Sequence, residues 1–324
     1  MERTAELSSE KLCGAVRSRT GKKNFIDTAA GDWQFWTLCI PGLILLIVFS
    51  YVPMIGLILA FKDYSSLEGI FGSRWVGFQW FEEFFSSPFF FRTLRNTVLI
   101  SVLKIIFSFP VPLLFAVLLN EVGNKVFKRT VQTISYMPHF ISTVIVVSIM
   151  KTMLSPDGGV LNEVLITLGI VDESISFFNE PSWFRTLYVS SEIWQNFGWD
   201  SIIYLACITS IDTQLYEAAQ LDGAGRWKQT IYITFPGLKN ITITMLILAF
   251  GSMMSVGFEK ILLMYNPAVY ETSDVISTYI YRIALVDDNI GYGVAVGLFN
   301  SVINLILIVA FNLISRKISE VSLW

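Results

Sequence analysis

The chain is short of the residues that most catalytic and metal sites require. Among its 324 residues there is one histidine, His139. That excludes a histidine-based metal site and a histidine-centred triad, and no other catalytic or metal-ligating constellation is visible. The three cysteines, Cys13, Cys39 and Cys207, stand far apart in the sequence. They offer neither a disulfide framework nor metal-ligand spacing. No G-x-x-x-x-G-K-[ST] run occurs, so the chain lacks a P-loop to cradle nucleotide phosphates. Charge is also scarce: 15% of residues are Asp, Glu, Lys or Arg, against about 25% in an average soluble domain. The net charge of -3 provides no basic surface for nucleic acid.

Apolar residues make up 53% of the sequence, which marks an integral membrane protein. Six segments are mostly apolar and long enough for a bilayer, which needs about 20 residues per helix. They run over 36–61, 93–119, 133–154, 187–211, 241–265 and 292–314. Residues 1–33 are polar, with six Lys or Arg, and the apolar run after them is too long for a cleavable signal. Placing the N-terminus inside puts fourteen Lys and Arg on the cytoplasmic side and four outside. Basic residues favour the cytoplasmic flank, so the two termini (1–33 and 317–324) and the loop over 212–240 are expected in the cytoplasm, around a membrane domain spanning 34–316.

Other features refine this picture. Pro41, Pro53, Pro110, Pro112 and Pro138 are expected to kink their helices. The first outer loop is rich in aromatics, from Trp75 to Phe91, and reads as an interfacial helix at headgroup level. The second suggests a turn at 156–159 and a short helix at 160–168. The acidic third suggests a helix at 274–285. Gly293 and Gly297 form a G-x-x-x-G, a small-residue packing face.

Polar side chains within a span mark pathways or pairing partners. Segment four concentrates them: Glu192, Trp194, Asn196, Trp199, Asp200 and Tyr204. Aromatic rings suit the C–H faces of sugars, and amides and carboxylates suit their hydroxyls. Trp194, Asn196, Trp199 and Tyr204 are therefore candidates to border a translocation cavity, unless these groups merely satisfy one another between helices. Lys104 in segment two is placed to neutralise a carboxylate. Glu259 and Lys260 are expected to reach the interface, Asn300 and Asn304 to bridge helices, and His139 to serve as a structural hydrogen-bonding residue.

The loop after segment four is polar and carries two glycines. Its residues favour a helix to Ala224, a change of direction at Gly223 and Gly225, and a second short helix from Arg226 ended by Pro236. Within it stand Glu217-Ala218-Ala219, Asp222-Gly223-Ala224 and Ile233-Thr234-Phe235-Pro236. This pattern resembles the EAA motif of binding-protein-dependent ABC importer permeases, with Phe235 where the family carries Leu. Similar stretches recur elsewhere, including Tyr51-Val52-Pro53-Met54, Gln132 to Ser142 and Ala295 to Phe299. They resemble permeases of the polysaccharide type, with an alginate importer as the narrower match.

The resemblance implies an all-α membrane protein of six transmembrane helices, the type I ABC importer permease fold, in a bacterial inner membrane. It implies that Glu217, Ala218, Ala219, Asp222, Gly223, Ala224 and Pro236 couple to a cytoplasmic ATPase dimer. The implied partners are a second homologous permease, an extracytoplasmic solute-binding protein, an oligosaccharide and the lipid bilayer. This chain itself would bind no cofactor, with ATP and Mg held by the ATPase subunits. The competing expectation is a proton- or ion-driven secondary transporter using Glu192 or Asp200.

Overall fold

The structure, a computed structural model, describes residues 33–319. The expected tails, 1–33 and 317–324, fall almost wholly outside the described residues. The chain divides into two units, residues 1–57 and 58–324. In the first, α1 (Trp33–Leu46) contains Pro41 and passes into π-helical turns over Ile47–Tyr51. Pro53 follows at once. It has no N–H to give the carbonyl four residues back, and the wider turn absorbs that mismatch.

The second unit opens with a two-stranded antiparallel ribbon, β1 (Lys62–Asp63) against β2 (Arg74–Trp75), pairing Lys62 with Trp75. The helices then follow in order. They are α2 (Gln79–Ser86), α3 (Pro88–Ser108), α4 (Pro110–Asn120), α5 (Lys125–Tyr136), α6 (Thr143–Met153), α7 (Val160–Thr167) and α8 (Pro181–Thr209). After these come α9 (Thr213–Leu221), α10 (Arg226–Gln229), α11 (Phe235–Gly251), α12 (Phe258–Met264), α13 (Ile276–Tyr281) and α14 (Ile290–Ser319).

Four helical runs among the described residues are long and apolar enough to cross a membrane: Trp36–Phe61, Pro88–Asn120, Arg226–Gly251 and Ile290–Lys317. A fifth, Lys125–Phe140 with Thr143–Met153, is bent by 96° at its break. Pro138 lies in the 3-10 turn that makes the bend. The remaining segment, α8, is an unbroken helix of 29 residues. At 1.5 Å per residue it is about 43 Å long, but its polar side chains set it apart from the apolar runs.

Two expectations need correction. The fifth segment does not run over 241–265: its helix starts at Arg226 and stops at Gly251, and Ser252–Gly257 is not helical. Pro236 does not end the helix before it. The π-helical turn Thr230–Thr234 leads directly into α11, and this wider turn, like the one before Pro53, absorbs the N–H that Pro236 lacks. The first outer loop also differs. Trp80 and Phe84 are buried, packed with Tyr279 and Tyr292, and Trp80 Nε1 donates to the Lys62 carbonyl at 3.0 Å. Phe78, Phe85 and Phe91 remain exposed, so part of this aromatic cluster is protein core rather than lipid anchor.

Helix α8 is central to the second unit. Its first half packs Phe184, Tyr188 and Val189 against Ile100, Val147 and Ile261. Its other end packs Tyr204 and Ile208 against Ala116, Val117 and Leu238. Gly198 lets it lie directly on the backbone of α5. At Gly293 a methyl would overlap Ala284, so this end of the G-x-x-x-G is a packing face within the chain.

Candidate functional site

The elbow after α8 is built from local hydrogen bonds. The Asp212 carboxylate accepts from the Gln214 N–H at 2.9 Å and starts α9. The helix closes in a Schellman motif: the Gly223 N–H donates to Gln220 O at 3.0 Å and the Ala224 N–H to Ala219 O at 2.8 Å. That motif needs a left-handed residue, and Gly223 supplies it with φ +76°. Gln229 then braces the turn by donating to Ala224 O at 2.8 Å. The hydroxyls of Tyr216 and Thr234 meet at 2.9 Å, tying α9 to the start of α11. Thr230 donates to the Glu121 carboxylate at 3.2 Å, which ties the elbow to the end of α4.

The motif residues are thus arranged for outward contact. Glu217, Ala218, Asp222 and Gly223 are exposed, and Ala219 and Ala224 are half-buried. Pro236 is exposed at the start of α11. Large apolar side chains surround them, with Leu221 at 91% and Trp227 at 78% exposure. Soluble surfaces seldom leave such groups together without a partner.

The second candidate region is the polar stretch of α8. The carboxylate of Glu192 lies 2.8 Å from Lys260 Nζ and 3.2 Å from Lys104 Nζ. Asn196 donates to the same carboxylate at 3.3 Å, and its oxygen faces His139 Nδ1 at 3.0 Å. The His139 ring lies flat on Trp199, with centroids 4.5 Å apart and planes 2° apart. Gln195 donates to Ile141 O at 3.0 Å, at the bend between α5 and α6. The chemistry is a charged and amide-rich wall with an aromatic platform.

Two cavities adjoin it. A cleft of about 600 Å³ is lined by His139, Glu192, Gln195, Asn196, Glu259 and Lys260, among others. A more enclosed cavity of about 270 Å³ has Lys104, Asp200, Tyr204 and four serines in its wall, including Ser252 and Ser255 of the non-helical stretch. Within a membrane, irregular backbone is tolerated where it lines a cavity. Of the four residues picked out from sequence, Asn196 lines the cleft, Tyr204 lines the smaller cavity, and Trp199 stacks on a cleft residue. Trp194 lies on the opposite face of α8 and is exposed.

Lys260 corrects an expectation. It does not reach the interface but is 3% exposed and held by Glu192. A charge inside an expected span was the available signal. Asn304 bridges helices as expected, accepting from the Met254 N–H at 3.0 Å and donating to Ser255 at 2.9 Å.

A third polar centre was not legible in the sequence. Asp274 is fully buried and accepts from both Arg92 and Arg282 at 2.8 Å. Asn96 donates to Asp274 O at 3.0 Å and accepts from Arg185 at 3.0 Å. Burial works most strongly against the Arg282 charge, but the bond to Asp274, the charge of that carboxylate and the nearby Tyr270 and Tyr265 together hold the guanidinium above its ordinary value. These partners lie up to 182 residues apart, beyond the reach of any local pattern.

Residues 108–320 match the family of binding-protein-dependent transport system inner membrane components. Protein LplB of Bacillus subtilis is 43% identical over 90% of this chain and 92% of its own length. The polygalacturonan/rhamnogalacturonan transport system permease protein YteP of the same organism is 40% identical over 98% of both chains. A crystal structure of a bacterial ABC transporter that imports the acidic polysaccharide alginate superposes with a TM-score of 0.84. The two are 42% identical, over 92% of this chain and 100% of that one. A second structure, also at 0.84 and 42%, holds that transporter with an alginate pentasaccharide-bound periplasmic protein.

Proposed function

This chain belongs to the binding-protein-dependent transport system inner membrane components, as a permease of a sugar ABC importer, and we propose that it forms half of the translocation pathway and transmits ATP-driven movement to it. A second homologous permease completes the pathway. An extracytoplasmic binding protein delivers an oligosaccharide, and alginate or another acidic polysaccharide fragment is the cargo that the relatives suggest. A pair of ATPase subunits, holding ATP and Mg, supplies the work. Both termini and the elbow face the cytoplasm, and α8 is the sixth span alongside the four apolar helices and the bent one.

One observation carries this reading: the exposed elbow of Glu217, Ala218, Ala219, Asp222, Gly223 and Ala224, fixed by its Schellman motif and continuous with the apolar run Arg226–Gly251. Such an arm is suited to receive force from a soluble partner. Asn196, Trp199 and Tyr204 border the sugar's route. Trp194 contributes from the face of α8 that the second permease would cover.

Co-purification from the native host tests the proposal. The expected companions are a second permease with its own EAA loop, and an ATPase. Sugar uptake by the purified chain alone, without ATP, would replace this reading with that of a secondary transporter.

A further inference from the structure

We propose that the 270 Å³ cavity is a subsite for one hexuronate residue of the transported chain, and that Lys104 selects its carboxylate by giving up Glu192. The inference rests on the importer reading above and adds the side chain that would discriminate acidic from neutral sugar.

One carboxylate, Glu192, serves two ammonium groups. The two pairs are unequal. Lys260 is 3% exposed and 2.8 Å away, while the Lys104 side chain is 45% exposed and 3.2 Å away. An exposed pair contributes little, whereas removing one partner of a buried pair is costly. Lys104 is therefore the exchangeable partner. When it turns away, Glu192 remains neutralised by Lys260, so the exchange strands no charge.

Lys104 lies in the wall of the cavity, about 24 Å along the helix from Pro88 at 1.5 Å per residue. That is near mid-span, too deep for an ammonium to reach water at either end with ease. The cavity has the volume of a single pyranose rather than of a longer chain. Its other polar groups suit hydroxyls. Ser108 Oγ is buried with no hydrogen-bond partner among the described residues, and Tyr204 and Ser255 share the wall. Asp200 is the opposing charge. It forms no ion pair within 4.0 Å among the described residues, and it is placed to accept a sugar hydroxyl. Its negative charge also sets a cost for entry of a carboxylate, which Lys104 must offset. An arginine or lysine recognises a carboxylate through charge-assisted hydrogen bonds.

The test uses the assembled importer in nanodiscs, without free binding protein, and equilibrium dialysis of labelled galacturonate trimer against its carboxyl-reduced galactose trimer. The intact importer is expected to prefer the acidic trimer at least about tenfold, the factor that 1.4 kcal/mol represents. Lys104→Met should abolish the preference, Lys104→Arg should keep it, and Glu192→Gln should keep or increase it. A preference that survives Lys104→Met, or an intact importer that binds both trimers alike or neither, overturns the proposal. ATPase stimulation by loaded binding protein is measured on every variant. Its presence with an unselective cavity sinks the subsite alone, and its absence from the intact assembly sinks the importer reading and the subsite with it.

Discussion

Gly198 of α8 rests on the main chain of Ser135 in α5, so closely that a methyl group in place of its hydrogen would overlap the Ser135 carbonyl. This contact sets the distance between the helix that carries Glu192, Asn196 and Trp199 and the end of α5, from which the 3-10 turn carrying His139 continues. The neighbour is backbone, which cannot swing aside as a flexible side chain does. Gly198→Ala should therefore cost about 1–3 kcal/mol as overpacking, separate the His139–Trp199 stack and lower sugar uptake. A variant with unchanged thermal midpoint and uptake would show that α5 yields freely.

The α8 platform makes a second prediction. Asn196→Ala and Trp199→Ala each remove a group from the cleft wall or from the ring beneath it. Uptake should fall while binding-protein-stimulated ATPase activity persists. Trp194→Ala, on the other face, is the informative companion. A loss there places the route against the partner permease, and a loss only at Asn196 and Trp199 confines it to the cleft.

Asp274 offers a prediction about assembly rather than transport. It is buried between Arg92 and Arg282. Asp274→Asn leaves two guanidiniums without their countercharge, a change that costs about 3–5 kcal/mol for a buried pair. A marked fall in thermal midpoint and in yield is expected. A midpoint within a degree or two of the parent would mean that water or the bilayer surface already neutralises this centre.

The elbow makes the fourth. Gly223 adopts φ +76° with open space around it, so a side chain there meets backbone strain and no clash. Gly223→Val should cost about 1–2 kcal/mol locally. The protein should insert normally but lose transport and the stimulation of ATPase activity. Normal values for both would refute the role given to the elbow.

The sequence exposed those features that depend on neighbours along the chain. The apolar runs, the turn at Gly223 and the concentration of polar groups between Glu192 and Tyr204 were all visible. The break at Ser252–Gly257 was not, because its Met and Val residues keep the segment apolar while the hydrogen-bond ladder stops. Nor was the hold of Lys260 on Glu192: Lys104 was expected to neutralise a carboxylate and does, but the third partner comes from a third helix. Pro236 misled for a related reason: proline breaks a regular α-helical ladder, but a wider turn just ahead of it lets the helix run through. Only the π-helical turn ahead of it reveals which of these applies.

That turn has a mechanical consequence. Residues Arg226 to Gly251 form one rod, about 39 Å long at 1.5 Å per residue. Its foot is the second limb of the elbow, and its tip is the rim of the 270 Å³ cavity. Between them lies a single loosened coil, Thr230–Thr234, pinned at its side by Glu121. Under the proposed coupling, a stroke at the foot would reach the cavity rim along the rod itself, and the coil would set how much of that stroke becomes rotation rather than thrust.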